Sequence, residues 1–258
     1  MAIFSDTSYP KLTAMFGTKT LDELIANVKT AAEQGAEAFC ILSEALEPEY
    51  KNEESFKRLF DAMGDRPAYV TNYIRGNSDQ NLSDDVLAEQ LINIAKWGGK
   101  LIDVRTDMFC RSSDEVTRDS AAVRKQKELI SELHALGAEV LMSTHIFEYR
   151  SPDNVLEIME LQRDRGVDIS KVVTAVNSQK ELDDAFRTNF LLKEKLNLPF
   201  LYLVGGTYCR RHRLLGPVLG SCMYLCLENS KTCGPQPTIE EAKALREKFY
   251  TEVNKNGK

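Results

Sequence analysis

A formal net charge of −6 on 258 residues leaves no electrostatic footprint for nucleic acid or an anionic membrane, and a composition 43% hydrophobic and 28% charged excludes disorder. The length is close to the ~250 residues usual for one α/β barrel, and no apolar run reaches the ~20 residues that a bilayer crossing needs. The N-terminal MAIFSDTSYPKLTAMF lacks the basic and apolar regions of a signal peptide, and the six cysteines form no C-x-x-C pair. Reduced thiols in the cytoplasm are therefore expected. No cofactor and no metal are expected, a zinc site being the lesser alternative.

In chain order, KLTAMF (11–16) reads as a strand and TLDELIANVKTAAEQG as a helix ending at Gly35, with Leu21, Leu24, Ile25 and Val28 at helical spacing. AEAFCILSE is the second strand and ESFKRLFDAMG the second helix. PAYVTNY and SDDVLAEQLINIAKWGG follow as strand and helix, with Ser83 as the N-cap. KLIDVR, AEVLMST, SKVVTAV and PFLYLV make strands four to seven, separated by helices near 117–136, 152–165 and 178–195. Pro152 suits the first turn of its helix. SCMYLCL is the eighth strand, its Cys222 and Cys226 spaced for one face, and TIEEAKALREKFY is the last helix.

Strands that alternate with helices of this length need crossover connections and a parallel sheet. Eight such units predict an α/β fold of the closed (β/α)₈ TIM-barrel type, one domain over 1–258. No G-x-G-x-x-G follows the first strand, which argues against a dinucleotide-binding sheet. The stretches 75–83, 104–118 and 205–219 are long and polar; the first and last follow strands, where a barrel carries its active-site loops.

Strand ends are thus the candidate positions for chemistry. Lys171 sits in the apolar DISKVVTAV, where burying an ammonium without a partner is costly. A desolvated lysine can add to a carbonyl as a Schiff-base nucleophile. His145, just beyond strand five, could move a proton beside that imine. A solvated strand-end lysine and a hydrogen-bonded loop histidine are the bland alternatives. In GGTYCRRHRLLGPVLGS, Gly205 and Gly206 permit close approach to a ligand, and Arg210, Arg211 and Arg213 crowd the start of a short helix. They could hold a carboxylate or simply be a solvated basic patch. His134 reads as a surface or helix-end residue, and His212 has no clear place.

MSTHIFEYRSP, GVDISKVVTAVNSQKELDDAF, RHRLLGPVLGS and TCGPQ, taken together and in this order, resemble type I 3-dehydroquinate dehydratases. These are Schiff-base barrel enzymes of the shikimate and quinate pathways. The resemblance implies a carbon–oxygen hydro-lyase in which Lys171 forms the imine and His145 is the general acid and base. It implies that Arg213 holds the carboxylate of a small-molecule substrate, with Gln236 and Thr232 closing over it from a loop, and it implies a homodimer. Nucleic acid and membrane are not expected as partners. The chain departs from the family's pattern at several points. On strand two, Cys40-Ile41-Leu42 stands for E-x-R. On strand three, Thr71-Asn72-Tyr73 stands for T-x-R, with Arg75 nearby. On strand four, Arg105 aligns with an acid that steadies the histidine, leaving Asp103 or Asp107 to replace it. Tyr73, Arg75 and Arg105 therefore join the expected substrate-binding set. An imine-forming aldolase-type lyase on another keto acid, and a barrel that binds a small acid without turning it over, remain open.

Overall fold

A computed structural model describes residues 3–78, 80–229 and 234–256 of the chain. Its elements alternate throughout. The strands are β1 (Lys11–Phe16), β2 (Ala38–Leu42), β3 (Ala68–Thr71), β4 (Leu101–Arg105), β5 (Glu139–His145), β6 (Ile169–Ala175), β7 (Phe200–Gly205) and β8 (Met223–Cys226). The helices between and after them are α1 (Leu21–Glu33), α2 (Glu53–Met63), α3 (Asp84–Trp97), α4 (Ser120–Ala135), α5 (Pro152–Arg163), α6 (Gln179–Lys195), α7 (Cys209–Leu215) and α8 (Ile239–Asn256). The helix starts follow from local chemistry: Thr20, Asn52, Ser83, Asp119, Ser151 and Ser178 each cap one by accepting an amide hydrogen in the first turn.

All ladder pairings are parallel, and the order β7-β6-β5-β4-β3-β2-β1-β8 makes a TIM barrel. The seam between β7 and β8 is bridged where the Cys222 amide donates to the Phe200 carbonyl at 2.8 Å. Strands buried on both faces explain the uninterrupted apolar runs. Cys40, Tyr69, Leu101, Leu141, Ile169 and Leu201 fill the barrel, while Ile41, Val70, Ile102 and Val140 pack under the helices. Cys222 and Cys226 do not share a face. Cys222 lies ahead of β8 and packs into the barrel interior, whereas Cys226 joins Tyr224 in the outer layer.

Two further features anchor the barrel. At its N-terminal end Phe4 plugs the interior edge-on to Tyr69, and the Glu139 carboxylate accepts the amides of Ile3, Phe4 and Ser5 at 2.7–3.2 Å. Behind β4, β5 and β6 lies a buried polar knot that holds the loop from Thr106 to Thr117. The Arg165 guanidinium donates to the carbonyls of Thr106 and Thr117, both at 2.6 Å, and to Gln126 Oε1 at 2.7 Å. The Gln126 amide donates to the carbonyls of Thr106 and Met108, and the Gln162 amide to the Lys171 carbonyl and Thr106 Oγ1.

Replacing Arg165 by Met keeps the bulk but strands these buried acceptors, each worth roughly 1–3 kcal/mol unsatisfied. Urea unfolding of Arg165→Met should show a loss of about 3 kcal/mol; a loss below about 1 kcal/mol would contradict the role assigned to the knot.

Candidate active site

Lys171 is the third residue of β6, in register with Ser143 on β5 and Leu201 on β7, and is only 4% exposed. Its parity with Ile169 and Val173 points it into the barrel. A buried ammonium needs three acceptors, and three are present. Nζ donates to Tyr69 Oη at 3.0 Å and Tyr73 Oη at 3.1 Å, and pairs with Asp103 Oδ2 at 3.3 Å. Asp103 is satisfied in turn: it accepts from both tyrosine hydroxyls, that of Tyr73 at 2.6 Å, and from Ser143 Oγ at 2.5 Å. Burial, reinforced by the Asp103 charge, pushes both phenols well above their ordinary range, so they remain neutral donors. Breaking a buried pair of this kind from one side costs about 3–5 kcal/mol.

His145 closes β5, one residue beyond the predicted strand end. Its amide donates to Glu115 Oε2 at 2.8 Å, its ring Nδ1 lies 3.4 Å from the same oxygen, and its ring meets Tyr73 edge-on at 5.2 Å. Burial first, and then the Lys171 charge, hold the imidazole below its ordinary pKa, while Glu115 and Asp103 oppose them. Burial works to raise the Glu115 carboxyl, yet the bonds from His145 and the Arg75 charge keep it below the usual range. Arg75 Nη1 lies 3.2 Å from Glu115 Oε1, and its guanidinium sits over the Phe147 ring.

Arg213, on α7, is buried, and burial pushes its guanidinium down to about 10. Its Nε donates to the Val204 carbonyl at 2.7 Å, and among the described residues no carboxylate pairs with it. That leaves the rest of the fork for an anion. Of the neighbouring arginines, Arg210 pairs with Glu241 at 2.6 Å and donates to the carbonyls of Gly234 and Gln236, tethering the segment that carries Gln236. Arg211 lies away at Gln179.

These groups meet in one cleft of about 210 Å³, lined by Lys171, His145, Arg213, Gln236, Tyr73 and Arg75 together with Thr71, Phe147 and several apolar residues. Six of the sequence-predicted positions are thus brought together. Arg105 is not: its side chain turns to Asp84 at 2.9 Å and Asp107 at 3.4 Å, away from the cleft, because the N-terminal turn of α3 presents a half-buried carboxylate to it. Its cation therefore is not what lowers the imidazole pKa. Thr232 lies outside the described residues. Neither Asp103 nor Asp107 steadies the histidine; that place is taken by Glu115, which sequence reasoning missed. Behind Thr71 lies the buried Glu44, which accepts the Thr71 hydroxyl at 2.8 Å; burial pushes this carboxyl up to about 7. Of the other histidines, His134 bonds Asp168 on the surface, and His212 is buried against Asn189, where burial pushes it down to about 3.

Glu115 is the carboxylate in direct contact with the His145 ring, so Glu115→Gln removes a charge that favours imidazolium while retaining an amide-accepting oxygen. The NMR titration midpoint of His145 should fall below the wild-type value; an unchanged or higher midpoint would refute the pairing.

Crystal structures of 3-dehydroquinate dehydratases superpose along nearly the whole barrel. That from Geobacillus kaustophilus is 14% identical with a TM-score of 0.80, covering 97% of this chain and 93% of that one. The type I enzyme from Clostridium difficile, carrying covalently modified comenic acid, is 16% identical with a TM-score of 0.82, covering 95% and 94%. The Aquifex aeolicus enzyme is 19% identical with a TM-score of 0.70, covering 93% and 99%. At such identities these likenesses carry the fold. No curated protein matches the chain by sequence. The family model for type I 3-dehydroquinase matches residues 15–251, nearly the full barrel, and the chain belongs to that family of hydro-lyases.

Proposed function

We propose that this chain is an imine-forming hydro-lyase acting on 3-dehydroquinate or a related hydroxy-ketone carboxylate, with Lys171 as the nucleophile. The observation that carries the reading is the convergence of a buried lysine, a histidine on the adjacent strand and an arginine that no carboxylate pairs among the described residues on one small cleft. Arg213 and Gln236 would hold the carboxylate, which sets the ketone over Lys171. Asp103, through its contact with Nζ, would accept the proton that the ammonium sheds before attack. The amine adds to the ketone and water leaves, giving an iminium that acidifies the adjacent C–H. His145 takes that proton as general base, and then returns it to the departing β-hydroxyl, which leaves as water and forms the C=C bond. Hydrolysis of the iminium by a second water releases the enone and restores the amine.

A second reading draws on the same ion pair. An ammonium held by Asp103 and two phenols is no nucleophile, so a barrel that binds the acid without turning it over also accounts for the contacts. The family membership favours the enzyme. One barrel domain over 1–258, a homodimer and a cytoplasmic location belong to the same proposal. They are supported by the family likeness, by the free thiols of Cys40, Cys110, Cys209, Cys222 and Cys226, and by the lack, among the described residues, of a helix long and apolar enough to cross a membrane.

Borohydride reduction during incubation with 3-dehydroquinate, followed by intact mass measurement, separates the readings. The native chain should gain a stable adduct and Lys171→Ala should gain none; an adduct that survives in Lys171→Ala sinks the assignment. In His145→Ala the adduct should still form, more slowly, while turnover falls about 10²–10⁴-fold. Turnover near the native rate in that variant would make His145 a structural residue.

A further inference from the structure

The cleft is divided by chemistry. Met15 on β1, Cys40 and Leu42 on β2, Leu225 on β8, Leu203 on β7 and Val173 on β6 come from five strands that follow one another around the barrel. They form one continuous wall with no charged group. Cys40 does not break its character, because burial pushes the thiol up and keeps it protonated. On the opposite side most polar groups are already engaged, Arg75 through one nitrogen only. Thr71 donates its hydroxyl to Glu44, Tyr73 donates to Asp103, and Arg75 pairs with Glu115. Among the described residues, what remains for a ligand is the open part of the Arg213 fork, the donors of Arg75 beyond Nη1, Gln236, and the reacting pair Lys171 and His145.

A ligand in this space can bind through one carboxylate and one carbonyl, and its body then lies on hydrocarbon. Ring hydroxyls aimed at the wall would lose water and gain no partner. The volume of about 210 Å³ is below the ~300 Å³ where pockets for drug-sized ligands begin, so the body is one small ring or short chain. We propose that the preferred substrates are small keto-carboxylates with an apolar, sparsely hydroxylated body, and that the apolar wall, with Leu42 at its rim, sets this specificity against polyols. The proposal rests on the reading of this cleft as the substrate site. It adds no step to the chemistry: Nζ still adds to the ketone, the carbonyl oxygen leaves as water, and a C=N bond forms.

The test compares two carboxylates with the same ring and the same placement of ketone and carboxyl, 3-dehydroquinate and its hydroxyl-free skeleton 3-oxocyclohexane-1-carboxylate. Calorimetric titration of the native protein should give a Kd for the hydroxyl-free acid at least about tenfold lower, within the ~10²-fold that an apolar pocket imposes on an added hydroxyl. Leu42→Gln, which places an amide on the wall, should shift the ratio of the two constants toward 3-dehydroquinate by about fivefold or more. Equal or tighter binding of 3-dehydroquinate to the native protein overturns the proposal, and so does failure of both acids to bind. If Leu42→Gln does not fold, the native ratio decides alone. Borohydride trapping of the same mixtures reports on Lys171 separately. A binding preference without an adduct upholds the specificity assigned to the wall and removes only the imine.

Discussion

The Lys171–Asp103 pair is the constraint around which the inside of this barrel is arranged. An ammonium moved into a low-dielectric interior loses several kcal/mol of hydration, and only a complete set of acceptors restores it. Here the acceptors come from β3, from β4 and from Tyr73 two residues past β3, so the lysine ties these two neighbouring strands to β6 across the barrel. Tyr69, Tyr73 and Ser143 have their hydroxyls directed by the same carboxylate. Tyr73 then supplies a ring edge to His145, so the position of the imidazole is coupled to the charge pair through one aromatic side chain.

The second support for the histidine comes from outside the strands. Glu115 lies on the long loop after β4, in a left-handed backbone conformation with φ of 49°. Such a conformation is uncommon for a residue other than Gly, Asn or Asp and has to be imposed by its surroundings. The polar knot of Gln126, Gln162 and Arg165 does this from behind the sheet, fixing both Thr106 and Thr117 at the ends of the loop. An acid on a strand would need no such scaffold. With this carboxylate on a loop, the His145 side of the cleft depends on contacts between α4 and the end of α5.

The strands were legible because burial on both faces leaves an apolar run that few helices share, and Ser83 and Pro152 marked two helix starts directly. Lys171, His145 and Arg213 were legible as strand-end and loop positions that a barrel must bring to one mouth, while Gln236 and the roles of all four came from the family resemblance. Other features depend on distances that spacing does not encode. Glu115 and His145 are 30 residues apart, joined through a loop whose shape is set by Arg165 from α5's far end. Arg105 has the parity of Asp103, yet its long side chain reaches Asp84 on α3 and leaves the cleft. Cys226 was misplaced because the strand starts one residue after Cys222, so the even spacing did not lie wholly within β8.

The plug at the far end of the barrel has a practical meaning for handling the protein. Ile3, Phe4 and Ser5 are clamped by Glu139 at the start of β5, on the face opposite the cleft, and the Tyr9 ring packs on Tyr250 near the end of α8 at 4.7 Å. Residues 3–9 and the Tyr250 turn of α8 thus lie on the same side, the one that carries no chemistry in barrels of this kind. A surface linkage made beside Tyr9 or Tyr250 would face away from the mouth. The protein can be displayed on a solid support with its cleft turned outward and open to solution.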